Sequence, residues 1–107
     1  MRMNMGRESE LALDLRQTNP SALLTAAGNG CCMGICLYNA AEFSAPGVHD
    51  DQEGFFVLEG SGEAELDGER LPVQAGTALI LPPGVRHSFR RHPNVPYLKV
   101  LWFHAAP

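Results

Sequence analysis

The sequence predicts a small all-β domain, a sandwich or barrel of short strands, on three observations. Glycine and proline together supply 11 and 8 of the 107 residues, well above the roughly 12% of an average protein. That much punctuation breaks a chain too often for a helix bundle. The strictly apolar runs stop at four residues, as in Phe55-Phe56-Val57-Leu58 and Val100-Leu101-Trp102-Phe103. Turn signals separate them at Pro46-Gly47, Gly60-Ser61-Gly62, Asp67-Gly68, Gly76 and Pro82-Pro83-Gly84. The length suits one hydrophobic core.

The elements follow in order. Residues 1–30 are expected to form an N-terminal tail with a short helix or edge segment. Residues 1–19 are polar, with weak periodicity through Leu11, Leu13 and Leu15. Asn19-Pro20-Ser21 gives a turn and a helix N-cap, Ala22 to Ala27 one or two helical turns, and Gly28-Asn29-Gly30 the stop. Residues 31–107 are expected to form the barrel, with strands at 31–38, 40–44, 54–59, 62–66, 69–73, 77–81, 86–91 and 97–104. Asp67-Gly68 between two alternating segments is a hairpin signal, because both residues tolerate the positive φ of a type I′ turn. In the last strand Leu98, Val100, Trp102 and His104 share one face. Lys99 lies on the other, so the even face is expected inside, with His104 at its end.

Charge excludes several functions. Twelve acidic against eight basic residues leave a net charge of −4, unlike the basic footprint of a nucleic-acid binder. Arg86, Arg90 and Arg91, with His87 and His92 nearby, read as a solvated face. No run approaches the ~20 apolar residues of a membrane span. The first ten residues lack the apolar centre of a signal peptide, so a cytoplasmic protein is expected. Cys31, Cys32 and Cys36 are an odd, clustered set. They suit neither a disulfide framework nor zinc-site spacing, and are read as buried thiols.

Two segments are more specific. Residues 47–60 read Gly-Val-His-Asp-Asp-Gln-Glu-Gly-Phe-Phe-Val-Leu-Glu-Gly, and residues 76–87 read Gly-Thr-Ala-Leu-Ile-Leu-Pro-Pro-Gly-Val-Arg-His. Two imidazoles and a carboxylate converging in a barrel make a divalent-metal site. The segments resemble the two motifs of the cupin superfamily, H-x-H…E…G and G…P-x-G-x-x-H…N, over about residues 42–104. The resemblance implies a double-stranded β-helix, or jelly-roll barrel, of the small single-domain type. It implies a metal (Fe, Zn, Ni or Mn) held by His49, Glu53 and His87. Gly47 stands where the first histidine belongs and Arg91 where asparagine is usual. The substitutes in view for the missing ligand are Asp51, Gln52 and His104. Otherwise Asp50 and Asp51 read as a solvated loop, and His92 as a surface residue. Phe55, Val57, Phe89 and Trp102 are expected as pocket walls.

Three functions remain open. The first is a metal-dependent enzyme, such as a dioxygenase or isomerase, acting on a small oxygen-bearing molecule. The second is a metal-free module binding a sugar or carboxylate. The stretch from Pro82 to Phe103 also resembles sugar-sensing domains of arabinose-operon-type regulators, here with no DNA-binding part expected. The third is a dimeric barrel that serves a partner protein. Phe56 and Leu58 face away from the pocket, which predicts a second buried surface and a homodimer.

Overall fold

Among the described residues, antiparallel pairing sorts eight strands into two sheets around one core. The computed structural model describes residues 4–105. A 3-10 turn, Glu8–Glu10, precedes strands β1 (Ser21–Ala26), β2 (Cys32–Tyr38), β3 (Gln52–Glu59), β4 (Ser61–Leu66), β5 (Glu69–Gln74), β6 (Ala78–Leu81), β7 (His87–Arg91) and β8 (Leu98–Ala105). Five strands form one sheet in the order β1-β2-β8-β3-β6, and three form the other in the order β5-β4-β7. No helix among the described residues is long and apolar enough to cross a membrane.

Between the sheets lie Phe55, Val57, Ala64, Val73, Leu81, Phe89, Leu98 and Val100, all buried. Register places the inward residues of neighbouring strands side by side: Val57 opposite Val100, Phe55 opposite Trp102 and Glu53 opposite His104. The even face of β8 therefore points inward, as the sequence predicts. On the outer face Lys99 pairs with Glu8 of the N-terminal segment. Phe56, Ile80 and Met33 are exposed there. The β4–β5 hairpin turns at Asp67 and Gly68, both at positive φ (48° and 86°), as the turn chemistry requires.

Three expectations are corrected. Residues 22–27 do not form a helix. Ser21–Ala26 is an edge strand paired with β2, with Ser21 opposite Cys36 and Ala26 opposite Cys32. Isolated helices of this length are unstable in water, whereas the open edge of β2 satisfies the backbone of this segment. The sheet thus begins at Ser21, ahead of the barrel start expected at Cys31. Residues 40–44 are not a strand. One backbone bond and two side-chain contacts hold that segment instead: the Ser44 N–H donates to Phe89 O (3.0 Å), the Phe89 N–H donates to Ser44 Oγ (3.1 Å), and the Arg90 guanidinium stacks 4.3 Å from the Phe43 ring centre. Of the three thiols only Cys36 is buried, while Cys31 is exposed and Cys32 half-buried. Cys32 shares the parity of Cys36 on β2 but stands at the start of the strand, where less packs over it.

Two arginines of the basic cluster are also tied down rather than freely solvated, while Arg86 is exposed. Arg90 Nε donates to Glu63 (3.0 Å) and Arg91 Nε to Asn39 O (2.8 Å). His92 is half-buried against Ser61 Oγ (3.1 Å) rather than free on the surface.

Candidate metal centre

At one end of the barrel the inward faces of β3, β7 and β8 turn from apolar to polar. Glu53 lies one inward step before Phe55 on β3, His87 opens β7, and His104 lies near the end of β8. His49 comes from the loop ahead of β3. Glu53 Oε1 is 3.2 Å from His49 Nε2 and 3.3 Å from His87 Nε2. Its other oxygen, Oε2, is 3.2 Å from His104 Nε2. Three imidazole nitrogens thus face one carboxylate that is only 6% exposed. Gln52 has the opposite parity to Glu53 and is exposed.

The two contacts at Oε1 are not hydrogen bonds. Glu53 Oε1 is buried without a hydrogen-bond partner, and so is His87 Nδ1. Such unpartnered groups carry a desolvation penalty that calls for an explanation. Burial pushes the Glu53 carboxyl above its ordinary range, with Asp51 adding to the rise, while His104 and His49 pull it back. Burial also holds the His87 imidazole below its ordinary value, partly offset by its contact with the Val85 backbone. A neutral His87 offers a lone pair rather than a charge to its surroundings.

Donor atoms of His49, Glu53 and His87 all lie within 4.8 Å of one another, as do those of His49, Asp51 and His104. Metal–nitrogen and metal–oxygen bonds of ~2.0–2.2 Å leave two donors on a common ion about 3 Å apart. The 3.2–3.3 Å separations around Glu53 match that spacing. Imidazole with carboxylate suits Zn, Fe or Ni. The donor set and the orphaned Glu53 oxygen both fit a divalent ion.

Asp51 has a role that its reading as solvated loop missed. Its side chain is about one-quarter exposed, and His104 Nδ1 is 3.1 Å and 3.2 Å from its two oxygens. An ionised carboxylate only accepts, so His104 Nδ1–H is the donor to Asp51, and Nε2 is the nitrogen turned toward Glu53. Gly47 forms a backbone bridge with His87: its N–H donates to His87 O (2.8 Å) and accepts in return at its carbonyl (2.9 Å). A Cβ at position 47 would stand 3.0 Å from His87 Nε2. Glycine here leaves that nitrogen open toward a cavity.

The cavity holds about 300 Å³. Glu53, His87 and His104 form one end, and Phe55, Tyr38 and Trp102 supply aromatic wall. Val57 and Phe89 belong instead to the dry core behind it. Asn19, Ser21, Cys36, Tyr38 and Ser44 line it without having been singled out in the sequence. Cys36 and Tyr38 were legible from parity, since they share the inward face of β2. Ser21 was not, because its strand read as a helix. Burial raises the Cys36 thiol to about 11, moderated by Tyr38. It raises the Tyr38 phenol well above its ordinary value, with Cys36 adding to the rise. Both stay uncharged.

Comparisons with known proteins agree with this architecture. The cupin domain model matches residues 34–104. The chain is 34% identical over 68 residues to a Streptomyces cyaneus protein described as polyketide synthase CurC, covering 63% of this chain and 44% of that one. It spans about half the length of the curated relatives it matches. Among solved structures, a predicted oxalate decarboxylase from Thermotoga maritima superposes with a TM-score of 0.82 at 19% identity, covering 95% of this chain and 98% of that one. A salicylate 1,2-dioxygenase mutant from Pseudoaminobacter salicylatoxidans, solved with gentisate, gives 0.69 at 16% identity, covering 80% of this chain and 24% of that one.

Proposed function

The chain belongs to the cupin family, and from that premise we propose that it binds a divalent metal ion at His49, Glu53, His87 and His104 and acts on a small oxygen-bearing molecule there. The observation that carries this is the buried Glu53 carboxylate, faced by three imidazole nitrogens and hydrogen-bonded to none at Oε1. His104 supplies from β8 the donor that Gly47 lacks. The ion would polarise and orient a ligand oxygen as a Lewis acid.

The remaining work falls to the chain's own groups. Glu53 offsets part of the ion's charge. Asp51 fixes the tautomer of His104 and so aims its free nitrogen. Gly47 leaves space beside His87 Nε2 for a ligand oxygen. The aromatic wall restricts water around it. The dioxygenase and the decarboxylase-like neighbours, and the relative described as a polyketide synthase, support a small oxygenated ligand.

Elemental analysis of protein purified without chelator tests the reading. About one equivalent of divalent metal is expected in the wild type. In Glu53→Gln the loss of affinity should exceed the ~10–100-fold that removal of an outer partner causes. A wild type that takes up no metal at micromolar concentration would sink it. A melting-temperature rise with sugars or carboxylates in that metal-free protein would then favour the sensor reading.

We also propose that a second copy of the chain covers Phe56, Ile80 and Met33. These are 41%, 69% and 39% exposed on the outer face of the larger sheet. Light scattering at micromolar concentration should give twice the monomer mass; monomer mass would overturn this.

A further inference from the structure

Trp102 is a large aromatic that lines the cavity instead of filling it. Its indole reaches over β2 at Gly34, where an added Cβ would meet Cζ2 at 2.2 Å and Cε2 at 2.6 Å. Only glycine lets the ring lie there. On the far side the indole Nε1–H donates to Ser21 Oγ (3.1 Å) on the edge strand. The ring is thus held by β2 below it and by β1 at its edge, with Tyr38 and Phe55 elsewhere on the wall.

Charge narrows the occupant. Among the described residues, no lysine or arginine lines this cavity. Away from Glu53 and the imidazoles, the polar groups on its wall are neutral, such as Ser44, Tyr38 and Asn19. A divalent ion at the cluster would be offset by two carboxylates, Glu53 and Asp51, the second of them bonded to His104. Little positive charge remains to hold a carboxylate or phosphate tail. A volume near 300 Å³ sits at the lower end of the ~300–1,000 Å³ range of ligand sites, which suits one ring rather than several.

Resting on the metal reading above, we propose that the cavity takes a planar, uncharged ring bearing hydroxyl or enol oxygens. It seats against Trp102, with those oxygens directed to the open side of His87 beside Gly47. Stacking on a fixed aromatic face selects for planarity. The neutral walls select against a second ionised group, whose desolvation nothing in the cavity repays.

Trp102 is the sole tryptophan, so its fluorescence reports occupancy directly. The probes are catechol, its saturated counterpart cis-1,2-cyclohexanediol, and protocatechuate, which adds a carboxylate to the same ring. Each is titrated into zinc-loaded protein whose zinc content is measured first. Saturable quenching by catechol is expected, with both other probes at least about tenfold weaker. Gly34→Ala should weaken catechol by about tenfold with zinc content unchanged. Ser21→Ala, which adds no bulk, should weaken it about threefold and covers the case in which Gly34→Ala fails to fold. Equal or tighter binding of the diol or of protocatechuate overturns the proposal, as does an absence of saturable quenching. Failure to retain zinc overturns the metal reading separately. In that metal-free protein, saturable quenching by catechol still supports the aromatic seat, and its absence rejects it.

Discussion

The two ends of the barrel are built from the same inward faces of the same strands. On β7, Phe89 is fully buried in the core and His87 lies two residues away at the cavity. On β3, Val57 faces the core and Glu53 the imidazoles. On β8, Val100 and His104 make the same contrast. At the closed end, stability comes from apolar area removed from water and from close packing. At the open end, buried polar atoms lack partners and lower the stability of the metal-free protein. One continuous face therefore carries both the apolar core and the buried polar atoms without partners, which is the arrangement expected when a ligand supplies the missing partner.

Paired substitutions on β7 break that comparison most directly. Phe89→Ala should destabilise the metal-free protein by about 3–5 kcal/mol, as for other buried aromatics. His87→Ala, on the same face, should cost less than half as much, because the ring borders the cavity and its polar edge is poorly satisfied in the metal-free protein. Urea midpoints of the two variants measure this, and equal losses would refute it. Zinc retention should invert the ranking, with the loss confined to His87→Ala.

The smaller effect is pH dependence at the open end. Burial depresses the folded-state value of His87 below the unfolded value of about 6.5. Stability from this group is therefore complete above that value. It is lost as the pH falls toward the depressed folded value, because the unfolded chain takes up a proton that the folded chain refuses. Glu53 acts in the opposite sense: its raised value lowers stability as the pH rises through it. Urea midpoints of the metal-free protein at pH 7.5 and 5.5 should fall on acidification, less so in His87→Ala. An identical fall in both would show that His87 does not contribute.

Much of this was legible because strand parity is local. His49, Glu53 and His87 came from motif spacing, and His104 from alternation along β8 with Lys99 as the outward marker. Seven of the eight expected strands match observed ones. The misreadings lie where tertiary contacts override local signals. Residues 22–27 carry a capping pattern yet pair with the edge of β2. Residues 40–44 precede a turn signal as a strand would, yet are fastened by Ser44, Phe43 and the Arg90 side chain. Asp51 read as solvated because no local rule shows that β8 returns a histidine to meet it.

By itself the sequence determined the all-β class, the cupin motifs, the inward residues of β3, β7 and β8 and the absence of a side chain at Gly47. Those follow from turn chemistry and a two-residue period, which short stretches of chain express alone. Only the tertiary structure decided that His104 stands opposite Glu53, that Asp51 holds its other nitrogen, and that Gly34 gives Trp102 its place on the cavity wall. Those relations join strands far apart in the chain, and their register is set by packing the whole barrel at once.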